Sequence, residues 1–124
     1  MAFVPPSREY RYYDQEMTFY VTFTLRSARV EKWIRLVKEK YLDAAPIKCV
    51  GLDCEYTTAK SGSQKDLPPE ERQRAAVLQL CVASKVLVFQ IVHADAVPEA
   101  LREFLGDASI NFSGTAIHND VKML

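Results

Sequence analysis

Neither sign of charge predominates in this 124-residue sequence, which sets 16 lysines and arginines against 16 aspartates and glutamates. That balance excludes a polycationic nucleic-acid binder and a polyanionic tail, while leaving room for a local basic groove. Cysteine is sparse: Cys49, Cys54 and Cys81 are an odd number with no Cys-x-x-Cys spacing. A disulfide framework and a thiolate zinc site are thereby disfavoured, and each thiol lies in an apolar run where cysteine acts as a small hydrophobe. No basic segment followed by an apolar stretch opens the sequence, and no apolar run has the length needed to cross a bilayer. The expected location is therefore nucleus or cytoplasm, with no membrane partner. Glycine is scarce as well, with 4 residues. Gly51 and Gly114 suggest close backbone approach, because no glycine-rich loop precedes a helix in the manner of a phosphate cradle. Internal repeats and low-complexity tracts are absent.

What is present suits one folded domain. Hydrophobic residues make up 48% and charged residues 26% of the chain, ordinary values for a globular protein of this length. Residues 1–16, with Pro5-Pro6 and a tyrosine-rich stretch, are expected to be a loosely ordered lead-in to a domain spanning 17–124. Alternation over residues 18–25 predicts a strand with one face buried, Phe19, Val21, Phe23 and Leu25 falling on one side and Thr18, Tyr20, Thr22 and Thr24 on the other. Ser27 is a suitable N-cap for a helix whose apolar stripe is Val30, Trp33, Ile34, Val37 and Tyr41. Its other face carries Arg29, Lys32, Arg35 and Glu39, which suits a solvated surface better than a phosphate contact. Pro46 closes that region, and residues 47–55 form an apolar strand. Residues 57–74 have loop composition, with a short helical turn expected near Pro68-Pro69. Strands follow over 76–82 and 85–92, then a helix over 97–105 flanked by Asp95 and Asp107, which suit caps or surface. A strand over 112–117 and the start of a helix from His118 complete the pattern.

The chemistry concentrates at Asp53 and Glu55. Alternate residues of a strand face the same way, with Cα atoms about 6.5–7 Å apart, so the two carboxylates converge. Hard divalent cations take oxygen ligands, and paired carboxylates serve two-metal phosphodiesterases. Asp-x-Glu by itself is common and equally suits a solvated strand end. Here it follows Val50, Gly51 and Leu52 at the end of a core strand, where like charges resist burial without a cation or basic partner. A site is the favoured reading. Isolated His93 and His118 are more often structural or solvated than ligands, and Trp33 suits the core better than a base-stacking platform.

Val50-Gly51-Leu52-Asp53-Cys54-Glu55 closely resembles the first motif of the DEDD exonucleases, particularly the Werner-type 3′–5′ exonuclease domain. Residues 76–82 resemble the next strand of that domain. Residues 112–124, Phe-Ser-Gly-Thr-Ala-Ile-His-Asn-Asp-Val-Lys-Met-Leu, resemble its second motif. Three segments in order cover about residues 19–124. The resemblance implies an α/β ribonuclease H-like mixed sheet with flanking helices, truncated before the last strand and helix. It also implies a two-ion Mg²⁺ or Mn²⁺ site held by Asp53, Glu55 and Asp120, with Tyr56, Thr57 and Asn119 near the terminal nucleotide. The substrate would be the 3′ end of DNA or RNA. A fourth aspartate and a tyrosine or histidine base, both required by the family, have no counterpart in these 124 residues. The expectation is therefore an incomplete site with little or no activity in this polypeptide alone. Two other roles stay open, a nucleic-acid binder without chemistry and a module that engages a protein partner, or itself, through an exposed sheet edge.

Overall fold

The computed structural model describes residues 7–14, 17–56 and 75–114. Two strands open it, β1 (Ser7–Asp14) and β2 (Met17–Thr24), followed by helix α1 (Ser27–Val37) and a π-helical turn, Lys38–Leu42. Then come β3 (Lys48–Tyr56), β4 (Ala75–Val82), β5 (Lys85–Phe89), a 3₁₀ turn at Ile91–His93, α2 (Glu99–Leu105) and β6 (Ile110–Ser113). The strands form a six-stranded mixed sheet in the order β1-β2-β5-β4-β3-β6. Among its neighbours, β2 with β5 and β3 with β6 run parallel; the other pairs are antiparallel. No helix among the described residues is long and apolar enough to cross a membrane.

The core lies between one face of the sheet and the two helices. Leu78, Leu80 and Val82 of β4, Leu87 and Phe89 of β5, and Val50 and Leu52 of β3 meet Val30, Trp33, Ile34 and Val37 of α1 and Leu101, Phe104 and Leu105 of α2. Val30, Trp33, Ile34 and Val37 are thus the stripe that the 3.6-residue spacing predicts, whereas the expected fifth member, Tyr41, falls on the π-helical turn and is half-buried against the core. Phe104 also packs edge-on against Phe112 of β6, with ring centroids 5.8 Å apart. Cross-strand pairing forces residues opposite one another to share a face. The second face therefore carries Val77, Gln79 and Cys81 of β4 and Val86 and Val88 of β5, none of them fully buried.

Several local expectations are corrected. The tyrosine-rich stretch that its composition marks as a loose lead-in is a strand over Ser7–Asp14, paired with β2 along its whole length. In β2 the alternation is real, and the buried face is the one that carries Thr22 and Thr24. Thr24 is fully buried and Thr22 is 6% exposed, whereas Phe19, Val21 and Phe23 are half-buried. Register explains this: Thr22 and Thr24 lie beside Leu87 and Phe89 on the helix side. The hydroxyl of Thr24 is satisfied there, accepting from the Arg26 amide at 2.9 Å and pairing with the Ser7 hydroxyl at 2.6 Å, so burial leaves no orphaned polar atom. Strand β5 stops at Phe89 rather than 92, and the 3₁₀ turn takes up Ile91–His93. The strand expected over 112–117 occupies Ile110–Ser113, and residues 57–74 and 115–124 lie outside the described residues.

The cap of α1 also differs from expectation. Arg26 occupies the N-cap without a side-chain bond. The free amide of Ser27 is satisfied from afar, by Asp95 Oδ1 at 2.9 Å, which also accepts from the Ala96 amide. Asp95 thus serves α1 rather than the helix beside it in sequence. The Ser27 amide above all holds the Asp95 carboxyl below its ordinary value; burial opposes it, and the Ala96 amide and the Arg26 guanidinium add to the lowering. Asp107 closes the turn into β6, accepting from the hydroxyl and amide of Ser109, and these bonds lower its pKa likewise.

Three substitutions test this packing. Thr24→Val should lower stability by about 1–3 kcal/mol, because the Ser7 hydroxyl and Arg26 amide lose their partner, while Leu80→Ala should cost about 2–5 kcal/mol, both from urea unfolding. Because the folded pKa of Asp95 is depressed, its contribution is present above the ordinary carboxylate value near 3.8 and is lost as pH falls through the lower folded value. Asp95→Ala should therefore destabilise the protein at neutral pH and flatten part of the acid limb of a stability–pH profile.

Candidate functional site

Strand β3 presents two different chemistries on its two faces. Val50, Leu52 and Cys54 point into the core, so Gly51, Asp53 and Glu55 between them point to the face without a described helix. Both carboxylates are exposed. Asp53 lies opposite Gln79 and Glu55 opposite Val77 on β4, and the register shifts between Glu55 and Tyr56. On the other side β6 pairs with β3 only from Lys48 to Gly51. Beyond Gly51, β3 therefore has one described neighbour, and the acids occupy its half-free end. Among the described residues neither carboxylate makes a hydrogen bond or ion pair.

Asp53 borders a shallow groove of about 270 Å³ with Gly51, Gln79, Cys81, Val86 and Ser113. Gly51 keeps this groove open: a Cβ there would lie 3.3 Å from the Cys81 Cβ, tighter than ordinary packing. Burial pushes the Cys81 thiol up, so it is protonated at neutral pH and a poor ligand for a soft metal. The one carboxylate lining the groove is that of Asp53, with Glu55 two residues along the same face of β3; oxygen donors of this kind suit Mg²⁺ or Mn²⁺ rather than zinc. The residues present fit a hard divalent cation. No group of three or more histidine, cysteine, aspartate or glutamate side chains is gathered for a metal among the described residues.

The remaining expected site residues divide as follows. Tyr56 ends β3, so its backbone adjoins the acids. Thr57, Asn119 and Asp120 lie outside the described residues. Trp33 belongs to the core, being 3% exposed, and His93 lies exposed on the 3₁₀ turn. Gln79 and Ser113 were not singled out from sequence. Gln79 does carry a local signal, a lone amide in the otherwise apolar run of β4, but its place beside Asp53 depends on a pairing between distant strands.

A scan against protein-family models finds no match, and no curated protein matches in sequence. A solved structure does match: the crystal structure of the Aedes aegypti Nibbler EXO domain superposes with a TM-score of 0.52 at 10% sequence identity, over 82% of this chain and 41% of that one. The fold is ribonuclease H-like. Its mixed sheet with flanking helices is similar to that of the Nibbler EXO domain. The chain spans less than half the length of that structure, and identity this low speaks to the fold alone.

The arrangement has a measurable electrostatic consequence. Two exposed like charges about 7 Å apart in water repel by about 0.6 kcal/mol. In buffer containing a chelator, Glu55→Gln should therefore raise stability slightly. Excess Mn²⁺ should reverse the order, raising the melting temperature of the parent protein more than that of the variant.

Proposed function

We propose that this chain carries part of a Werner-type, DEDD-class 3′–5′ exonuclease centre that acts on the 3′ end of DNA or RNA. The observation that carries the proposal is the pair Asp53 and Glu55, without a partner among the described residues and side by side at the half-free end of β3, in a sheet with the fold of the Nibbler EXO domain. Asp53 and Glu55 would hold Mg²⁺ or Mn²⁺, with Asp120 as a further ligand. Bound divalent ions supply Lewis-acid stabilisation of the charge that develops in phosphodiester hydrolysis. The protein's own contribution is positional. The core side of β3 fixes the backbone, so the outward carboxylates need no reorganisation to receive a cation. Gly51 and Ser113 leave space beside Asp53, and Tyr56, Thr57 and Asn119 would contact the terminal nucleotide.

In this assignment Asp53, Glu55 and Asp120 are three of the four carboxylates the family uses, without its general base. The 124-residue polypeptide is therefore expected to bind Mn²⁺ and a 3′ strand but to release mononucleotides only slowly. The test combines Mn²⁺ titration with a labelled single strand. Asp53→Asn should weaken metal binding by about tenfold or more. Undiminished Mn²⁺ affinity in Asp53→Asn would remove the basis for the proposal.

A second reading rests on the sheet edges. Among the described residues β1 and β6 each have one neighbouring strand, and an unpaired edge is a template for another chain. A partner-binding module would use β6. Light scattering over a concentration series distinguishes the two, since self-association abolished by a proline within β6 favours this second role.

A further inference from the structure

A second candidate site lies at the other end of the sheet and on its other face. Register places Arg11 of β1 beside Tyr20 of β2, and Tyr20 beside Lys85 of β5. The three side chains thus form one row on the helix side, cation, ring, cation. Lys85 Nζ sits 4.3 Å from the centre of the Tyr20 ring. In the neighbouring row, Glu9 is opposite Thr22, and Arg29 of α1 donates to both side chains. That contact neutralises Arg29. Arg11 and Lys85 have no anionic partner among the described residues.

These groups border a cleft of about 300 Å³ between the sheet and α1, with Trp33 and Leu36 forming its apolar side. The indole N–H of Trp33 is the buried side-chain polar atom left without an acceptor among the described residues. Such an atom in a folded core calls for an explanation. Strands two apart in a sheet are separated by about 9.5–10 Å, so Arg11 and Lys85 flank the cleft like two poles with Tyr20 between them. A ligand suited to this arrangement carries negative charge, hydrogen-bond acceptors and a planar apolar part. Its size is bounded by the cleft, which lies at the lower end of ordinary small-ligand pockets.

We infer that this cleft binds a nucleotide unit, with its phosphate between Arg11 and Lys85 and its base against the Tyr20–Trp33–Leu36 side. Because β3 and β5 are both antiparallel to β4, they run in the same direction. Lys85 opens β5, while Glu55 lies near the end of β3. The cleft is therefore separate from the carboxylates, and its occupancy does not depend on the function proposed for them. The nucleotide unit has two sources, a free mononucleotide or one residue of a single strand passing over the β1–β2 edge. The exposed Tyr13, two residues from Arg11 on the same face of β1, offers stacking surface to a strand.

The experiment titrates the purified protein in chelator-containing buffer, following the emission of Trp33, the chain's single tryptophan, and heat by calorimetry. The probes are adenosine 5′-monophosphate, adenosine and a short single-stranded oligodeoxynucleotide. Saturable binding of the monophosphate at or below about 1 mM is expected, with adenosine weaker by about tenfold or more because the charge-assisted contacts are lost. Arg11→Gln and Lys85→Gln should each weaken binding to a similar degree with unchanged unfolding midpoints, and Arg102→Gln, at an exposed cation of α2 that lines neither the cleft nor the groove, should leave it unaltered. Tighter binding of the oligonucleotide assigns the cleft to a strand; tighter binding of the monophosphate assigns it to a free nucleotide. Equal affinity for adenosine and its monophosphate, undiminished binding by the Arg11→Gln/Lys85→Gln double variant, or no saturation by either phosphorylated probe overturns the inference.

Discussion

The antiparallel register between β3 and β4 is the constraint on which this molecule depends. Leu52 opposite Leu80 and Cys54 opposite Leu78 fill the core, while Asp53 opposite Gln79 and Glu55 opposite Val77 face away from it. The side-chain period of a strand is two, so a slip of one residue would carry both carboxylates under the helices and expel the apolar set. Burying two unpaired carboxylates costs far more than the protein's whole margin of stability. The same hydrophobic pattern that folds the sheet thus delivers its acids to open space. Structure and prospective chemistry are two faces of one pairing.

Elements whose signals were local were legible in the sequence. The stripe Val30, Trp33, Ile34 and Val37 faces the core as its spacing requires, and the short turn at Ala83-Ser84 joins β4 to β5, with Ala83 taking the positive φ of 52° that so tight a reversal needs. What misled was polarity. In β2 alternation alone does not say which face is buried, and polarity favours the phenylalanines, yet β5 pairs so as to place the threonines beneath α1. Threonine tolerates this because its hydroxyl finds local partners and its methyl packs like valine's. Likewise the tyrosine-rich opening lacked the alternation of a half-buried strand, because β1 is an edge whose side chains remain largely exposed.

The candidate site was legible to the same degree. Asp53 and Glu55 stood out because a charged pair at the end of an apolar strand is locally anomalous, and strand geometry alone put them on one side. Gln79 and Ser113 come to them from separate strands, and the row Arg11–Tyr20–Lys85 joins residues from three strands with no shared motif. Long-range register creates both groupings, and no window of sequence contains it. Asp120 and Asn119 belong to a segment beyond the described residues, so the resemblance remains their support.

The Asp95 cap has a bearing on how the chain acquires its shape. Its acceptor lies 68 residues after the amide it satisfies. At a translation speed of about 5–20 residues per second, roughly 3–14 s separate the emergence of the two groups from a ribosome. During that interval the leading turn of α1 has water in place of its carboxylate, and the opening hairpin waits for β5. The carboxylate that caps α1 thus leaves the ribosome only after β5, the strand that pairs with β2.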